Sequence, residues 1–347
     1  MATTDTYTTA VITAIRQEAP GVKTFTITRE DGSLISYTAG QFITFAFTHH
    51  GREERRSYSI SSALGEPLSF TVKRIDNGAY SRLLTDRAAV GDKLFTTGAA
   101  GLFTLPADST LHQQLFFFAA GIGITPVISL IRTLLHTQPV TQAVLIYSNR
   151  SQADTVFYYE LQDLANEYPG RFKIEFLYST SFNLARARLS KALVPVLLQE
   201  YAAIPRDKLL CYVCGPFTYM RMVIYSLEEH GVKDGHIRKE NFNTNDRDAP
   251  KATPPDTGQH KVTIRHNRQE HTFTTQYPET ILQAAKRHGL SLPYSCETGR
   301  CGSCAARCTQ GRVWLAYNEV LMDTDLKHGS ILTCTGYAIE GDVVIEV

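Results

Sequence analysis

The first third of the chain alternates apolar and polar positions in short runs that predict β-strands. Segments such as 25–28, 42–47 and 68–75 are rich in β-branched and aromatic residues, and Gly, Asp and Pro turn signals bound them. Short strands at this spacing are typical of an antiparallel barrel or sandwich. Residues 1–108 are therefore predicted to form a β domain.

From residue 114 the pattern changes to continuous apolar runs separated by helical periodicity. Four strands and four helices are predicted to alternate here: strands at 114–120, 143–148, 172–179 and 209–215, and helices at 126–136, 157–168, 193–201 and 216–230. Strands that are apolar on both faces indicate a parallel sheet covered by helices on both sides. Residues 109–243 are therefore predicted to be an α/β domain.

The C-terminal quarter is predicted to be a third domain behind a linker. Residues 244–259 contain three prolines, several charges and no large apolar side chain, which predicts a semi-rigid linker. After it, 261–275 reads as a hairpin, 279–289 as a short helix ending in Gly, and 331–347 alternates like strands. The third domain is placed at 260–347.

Composition and charge exclude several classes of protein. The chain of 347 residues has 35 Lys and Arg against 34 Asp and Glu, so no net field draws it to nucleic acid or to an anionic membrane. The longest apolar stretch, 115–135, is interrupted by two glycines, a proline and Arg132, so no membrane span is predicted. The N-terminus shows no secretory signal, and we expect a cytoplasmic protein.

Four of the seven cysteines form the strongest chemical signal in the sequence. Cys296, Cys301 and Cys304 follow a C-x4-C-x2-C pattern, and Cys334 lies 30 positions after Cys304. This is the plant-type [2Fe–2S] spacing, in which one loop supplies three thiolates and a separate segment supplies the fourth. The alternative is a structural zinc site, but such sites favour two short-spaced pairs. Cys308 is predicted to be a buried free thiol, because four ligands suffice.

The segment PYSCETGRCGSC, followed later by LTC, resembles the β-grasp plant-type ferredoxin family over residues 260–347. The resemblance implies one [2Fe–2S] cluster held by the four cysteines named above. Because the segment carries no strong acidic excess, we expect a ferredoxin tethered beside its electron donor.

A second motif lies in the β domain. Arg56-Ser57-Tyr58-Ser59 is followed by Lys73 and by Gly78-Ala79-Tyr80-Ser81. An arginine can hold phosphate through paired hydrogen bonds, a tyrosine can pack against a flavin ring, and a glycine admits backbone amides to a phosphate. The alternative is a plain barrel with a surface arginine and a core tyrosine.

These residues resemble the flavin barrel of the ferredoxin–NADP reductase superfamily. The resemblance implies that Arg56, Tyr58 and Ser59 contact the flavin and that Gly78 to Ser81 contact its pyrophosphate, with Ser59 near the reactive flavin edge. A second phosphate site favours FAD over FMN.

A third motif pair lies in the α/β domain. Gly121, Gly123, Thr125 and Pro126 close an apolar strand and open a helix, where Thr125 can cap the helix and the helix N-terminus attracts phosphate. Cys214-Gly215-Pro216 repeats the design about ninety residues later. With only two of three fingerprint glycines, the first motif alone is weak.

The pair resembles the nucleotide domain of the same superfamily. That resemblance places Cys214 near the nicotinamide and the flavin, and makes Phe242 an aromatic shield of the flavin; the alternative for both is a core side chain. No acidic residue follows the second strand, while Arg150, Arg186 and Arg188 could accept a 2′-phosphate or be solvated, so NADPH is favoured over NADH.

The domain order resembles the reductase components of bacterial multicomponent oxygenases. It implies an oxidoreductase that passes electrons from NAD(P)H through FAD and a [2Fe–2S] cluster to a protein acceptor, an oxygenase, epoxidase or desaturase component. The alternatives are an electron-transfer subunit of another redox enzyme, such as that of pyrimidine biosynthesis, and a redox-sensing interaction protein. A flavohaemoglobin would need a further globin domain.

Overall fold

The computed structural model describes residues 7–106, 108, 112–242, 252–266 and 269–347. Within them, the chain divides into two compact units, Tyr7–Asn241 and Phe242–Val347. Residue 109, where the second domain is predicted to begin, residues 244–251 of the predicted linker and the tip of the predicted hairpin lie outside the described residues.

The first unit begins with a six-stranded antiparallel sheet. Its strands are β1 (Thr8–Ala19), β2 (Val22–Arg29), β3 (Phe42–His49), β4 (Arg52–Ser59), β5 (Ser69–Lys73) and β6 (Lys93–Ala100), in the order β4-β3-β6-β1-β2-β5. A single bridge between Ile60, which follows β4, and Phe70 of β5 joins the two ends of the sheet, so the sheet curls into a barrel. Phe25, Ile27 and Phe45 fill its interior.

Two elements of this barrel have no counterpart among the predicted strands. The charged run before Arg56 is itself strand β4, because these residues pair with β3 from Arg52 to Ser59. In addition, Gly78 precedes a nine-residue helix, α1 (Ala79–Arg87), which the sequence pattern did not predict.

The rest of the first unit is a parallel sheet between two helical layers. Its strands are β7 (Gln114–Ala120), β8 (Gln142–Asn149), β9 (Phe172–Tyr178), β10 (Leu210–Cys214) and β11 (Ile237–Glu240), in the order β11-β10-β7-β8-β9. The helices are α2 (Ile124–Thr137), α3 (Tyr158–Glu167), α4 (Leu193–Tyr201) and α5 (Phe217–Glu229). Leu115, Phe117 and Ala119 of β7 pack with α2 and α3. Phe116 and Phe118 pack with α4 and α5. The unbroken apolar run of β7 therefore serves two cores.

The second unit contains a five-stranded mixed sheet. Its strands are β12 (Gln259–His266), β13 (Gln269–Gln276), β14 (Ala305–Leu315), β15 (Ser330–Leu332) and β16 (Gly336–Glu346), in the order β13-β12-β16-β14-β15. Two short helices accompany it: α6 (Ile281–Arg287) and α7 (Asp323–Lys327). A capping box between Thr280 and Gln283 starts α6, whose apolar side packs on the sheet. No helix among the described residues is long and apolar enough to cross a membrane.

Candidate redox centres and nucleotide site

The four predicted cluster cysteines lie together in the second unit, two of them through strand pairing and two in one loop. Cys304 immediately precedes β14, and Cys334 lies two residues beyond β15. Because Ala305 of β14 pairs with Leu332 of β15, the two thiols approach to 3.1 Å between their sulfur atoms. Cys296 and Cys301 lie in the loop between α6 and β14 and hydrogen-bond each other.

The thiols are therefore arranged as two pairs. A [2Fe–2S] cluster has two irons, each with two protein thiolates, so two adjacent pairs fit it. The hydrogen bond from Cys301 lowers the pKa of the Cys296 thiol to about 5, and the Thr298 N–H donates to the Cys296 sulfur at 3.4 Å. These donors stabilise a thiolate, which is the form that binds metal. Within the described residues, no three His, Cys, Asp or Glu side chains are placed to hold a single ion.

The loop that carries these thiols depends on a close backbone approach. Gly299 has φ +75°, and a Cβ added there would lie 2.7 Å from the Tyr317 carbonyl oxygen. Glycine is therefore required by conformation and by space. Cys308 takes no part in either pair, and it is half-buried rather than buried as predicted, with its thiol donating to the Gln310 carbonyl at 3.3 Å.

The predicted flavin residues lie along β4 and at the start of α1. Tyr58 and Tyr80 have ring centroids 6.1 Å apart, and Arg56 donates to Glu54 at 2.8 Å. The Ser57 hydroxyl shares a 2.8 Å hydrogen bond with that of Thr44 on β3. The flavin contact predicted for Ser57 stays a prediction.

The predicted pyrophosphate segment is a helix N-terminus. Gly78 is the N-cap of α1, Ala79 is its first residue, and the Ser81 hydroxyl donates to the Gly78 carbonyl at 3.1 Å. The free N–H groups of a first helical turn favour an anion, which fits a phosphate. Lys73 is the exposed last residue of β5.

A buried polar cluster joins the barrel to the parallel sheet. The Ser59 hydroxyl donates to the Glu240 carboxyl at 3.3 Å, and both residues are buried. Cys214 and Glu240 end the paired parallel strands β10 and β11 in register. Burial raises the pKa of the Cys214 thiol, and Glu240 raises it further, so the thiol is neutral. Glu240 belongs to no recognised motif; its only signal in the sequence is its position in the segment that ends the domain.

We expect Glu240 to make stability fall as pH rises. Burial raises the pKa of its carboxyl to about 8, whereas an unfolded glutamate titrates near about 4.3. Between these two pKa values the folded state binds one more proton than the unfolded state does. The contribution of Glu240 to the free energy of unfolding is therefore full below about pH 4 and falls steadily until about pH 8. Glu240→Gln, which needs no proton, should have a melting temperature near that of the wild type at pH 4.5 and several degrees higher at pH 8. Glu228→Gln, at an exposed position on α5, serves as the control. Melting curves that stay parallel across this range would contradict the expectation.

The two glycine motifs of the nucleotide site meet at the carboxyl ends of neighbouring strands. A Cβ added at Gly123 would lie 2.4 Å from the Cys214 carbonyl oxygen, and one at Gly215 would lie 3.0 Å from the Ala120 Cβ. Gly121 has φ +54°. The parallel pairing of β7 with β10 thus brings together two motifs that are far apart in sequence.

The helix after the first motif begins earlier than predicted. Gly123 is the N-cap of α2, and Ile124 is its first residue. Thr125 is therefore inside the first turn and donates to the Ile122 carbonyl at 3.0 Å, so the predicted cap at Thr125 is wrong. Pro126 is the third helical residue, and Pro216 is the N-cap of α5.

Three polar side chains lie at the ends of β8 and β9. Ser148, Asn149 and Tyr178 interact with the side chains of Tyr219, Tyr147 and Thr155, respectively. Because they lie at the carboxyl ends of parallel strands, they are placed near the edge where such sheets bind nucleotides. No sequence motif singles out these three residues as binding residues.

The three arginines considered for a 2′-phosphate differ in their surroundings. Arg186 is bound by Glu175 at 2.7 Å and also by Glu200, so its charge is already compensated. Arg150, next after β8, and Arg188 are both exposed. Phe242 belongs to the second unit and is 43% exposed, and its predicted place against the flavin stays a prediction.

Comparison with known families matches each part of the chain to one domain type. Residues 10–105 match the oxidoreductase FAD-binding domain, 117–224 the oxidoreductase NAD-binding domain, and 264–338 the 2Fe-2S iron-sulfur cluster binding domain. The three matches follow the same order as the three predicted domains.

Whole-chain relatives combine the same parts. The chain is 30% identical to a component of the 1,2-phenylacetyl-CoA epoxidase of Escherichia coli, over 93% of this chain and 92% of the relative. It is 30% identical to the glycine betaine monooxygenase reductase subunit of Pseudomonas aeruginosa, over 95% and 92%. The solved structure of phthalate dioxygenase reductase has the same fold, with a TM-score of 0.60 at 23% identity over 99% of this chain and 98% of that one.

Proposed function

The chain belongs to the family of oxygenase reductase components that join an FAD-binding, an NAD-binding and a 2Fe–2S domain, and on that basis we propose which protein accepts its electrons and which residues serve each cofactor. As a member, it transfers electrons from a pyridine nucleotide to an iron–sulfur centre. When bound, the cofactors would accept a hydride and release its two electrons one at a time.

We propose that the acceptor is the terminal component of a multicomponent oxygenase, of the epoxidase or monooxygenase kind named in its relatives. The observation that carries this proposal is the presence of two paired thiol sets in the same chain as a nucleotide-binding unit. A redox sensor would need no turnover, so steady turnover with an added acceptor separates a reductase from a sensor.

In this proposal, the barrel holds FAD through side chains of β4 and the start of α1. Tyr58 packs against the ring system, Arg56 exchanges Glu54 for a phosphate, and the α1 N-terminus from Gly78 to Ser81 holds the second phosphate. Ser59 and Glu240 place a hydroxyl and a protonated carboxyl together, while the neutral Cys214 thiol lies on the adjacent strand. In this arrangement Ser59, Glu240 and Cys214 exclude water from the site. Because the carboxyl and the thiol are both protonated, they place no charge next to the position that receives the hydride.

The proposed nucleotide site lies at the carboxyl ends of the parallel strands, where such sheets bind dinucleotides. The turns at Gly121 and Gly123 receive the pyrophosphate, and the side chains of Ser148, Asn149 and Tyr178 bind the ribose groups. With Arg186 already paired, Arg150 and Arg188 are the candidates for a 2′-phosphate. We therefore propose NADPH as the preferred donor.

Anaerobic stopped-flow mixing of the FAD- and cluster-loaded protein with NADPH or NADH tests these points. We expect flavin absorbance to bleach first and the cluster signal to follow, faster with NADPH, with steady turnover when cytochrome c is added. Arg150→Ala should remove the advantage of NADPH and leave the NADH rate unchanged. Flavin reduction without cluster reduction would contradict the relay, and absence of turnover would favour the sensor.

A further inference from the structure

Arg300 is a buried cation inside the cluster loop. It lies between Gly299 and the ligand Cys301, and its side chain is 3% exposed. Arginine is rarely buried to this extent unless it is paired. Its guanidinium Nε lies 3.6 Å from the Glu319 carboxylate, which is itself 15% exposed, and its Cζ lies 5.4 Å from the centre of the Tyr317 ring.

Its partners belong to a short segment, 316–319, that follows β14 and crosses the cluster loop. The Glu319 N–H donates to the Gly299 carbonyl at 3.0 Å, and the Tyr317 hydroxyl donates to the Glu319 carboxylate. On the other side, the Thr335 hydroxyl donates to the Tyr317 carbonyl at 2.8 Å. Thr335 adjoins the fourth ligand, so the segment links the loop of the first three ligands to the strand of the fourth.

The geometry points to a role for Arg300 and Glu319 as a charge pair that sets the reduction potential of the cluster, with Arg300 and Tyr317 holding segment 316–319 over it. We call these three residues the latch. The inference rests on the proposed function, because it needs the cluster to be present. Arg300 and Glu319 act on the cluster through their charges, and neither residue is a ligand of it.

The potential of a [2Fe–2S] cluster depends on local charge, hydrogen bonds to sulfur and exposure to solvent. Adding an electron makes the cluster more negative, so a nearby cation favours reduction and a nearby anion opposes it. Because Arg300 is buried and Glu319 is only 15% exposed, water screens each charge weakly. Removal of either partner takes away one of two opposite charges beside the cluster loop.

The chain also offers a matched control on the same loop. Glu297 follows the ligand Cys296 directly, but its side chain is 44% exposed and pairs with Lys286 at 2.8 Å. Glu297→Gln removes the same charge as Glu319→Gln from a residue that adjoins a ligand. Solvent screening should make its effect on the potential small.

The test is an anaerobic redox titration of the full-length, FAD- and cluster-loaded protein, with the reduced cluster followed by electron paramagnetic resonance. Arg300→Gln should lower the ratio of reduced to oxidised cluster at fixed potential by about tenfold, which is 59 mV for a one-electron couple. Glu319→Gln should raise that ratio. The double variant should return towards the wild type, and Arg300→Lys, which keeps the charge, should stay near it.

Opposite shifts in the two single variants distinguish electrostatic tuning from loosening of the loop, which would move both in one direction. If Arg300→Gln fails to assemble a cluster, the potentials of Glu319→Gln and Glu297→Gln are compared instead. The inference then requires a clearly higher potential in Glu319→Gln than in Glu297→Gln. Unchanged potentials, or shifts of the same sign, would overturn the latch while leaving the reductase function intact. Wild-type protein that reconstitutes with no [2Fe–2S] spectrum would instead overturn the proposed function.

Discussion

Cys304→Ala is expected to remove the iron–sulfur cluster and with it one-electron output, while hydride-driven flavin reduction continues. Cys304 is buried beside Cys334 at the junction of β14 and β15, and Cys308 takes no part in either thiol pair. Loss of a ligand should lower cytochrome c reduction by at least about 100-fold, the upper end of the effect typical of outer-shell partners. Iron content and visible absorbance measure the loss of the cluster. NADPH-dependent flavin bleaching measures hydride transfer separately.

Cys308→Ala is the matched control for this experiment. Cys308 lies four residues further along the chain, is half-buried, and donates only to backbone carbonyls. The variant should keep two irons per chain and the wild-type rate of cytochrome c reduction. If Cys304→Ala kept its cluster while Cys308→Ala lost it, the assignment of the ligands would be wrong.

Gly123→Ala is expected to separate the two nucleotide motifs. The new Cβ would lie 2.4 Å from the Cys214 carbonyl oxygen and 2.9 Å from the Gly215 nitrogen, and both are backbone atoms that cannot rotate away. Overpacking of this kind costs about 1–3 kcal/mol of stability. A displacement of about 1 Å at the hydride donor can cost about 100-fold in rate, so NADPH-driven flavin reduction should fall accordingly.

The control for this steric argument is Gly235→Ala. Gly235 has no positive φ, and an added Cβ there meets nothing within 4 Å. The variant should melt with the wild type and reduce its flavin at the wild-type rate. A Gly123→Ala protein with unchanged melting temperature and unchanged flavin reduction would show that the two strand ends tolerate wider separation than the geometry indicates.

The periodic parts of the fold could be predicted from the sequence, and the charged strand could not. Four strands of the parallel sheet are found within a residue or two, but β11 (IRKE) was not predicted, because it is four residues long and mostly charged. Strand β4, by contrast, carries a charge on each of its first five residues, and its pairing with β3 fixes it as a strand. Helix α1 was not predicted, because its nine residues are mostly polar and carry no side-chain cap.

The residues of the candidate site likewise divide into those that the sequence predicts and those that only tertiary packing brings together. Three of the four cysteines lie in one loop, so their spacing is a local signal, and Cys334 completes the known four-cysteine pattern. The contact of Ser59 with Glu240 spans 181 residues and depends on how the barrel meets the parallel sheet. The pairing of Arg186 likewise needs carboxylates from β9 and α4. Such contacts have no sequence signature, because tertiary packing alone creates them.

The double-sided packing of β7 has a consequence for how the nucleotide domain unfolds. Phe117 and Phe118 are neighbours in sequence, yet each is fully buried in a different core. Neither helical layer can detach without exposing a face of that strand to water, since one backbone carries both. The two layers should therefore melt in a single cooperative transition, and amide protons of β7 should be among the slowest in the domain to exchange with solvent.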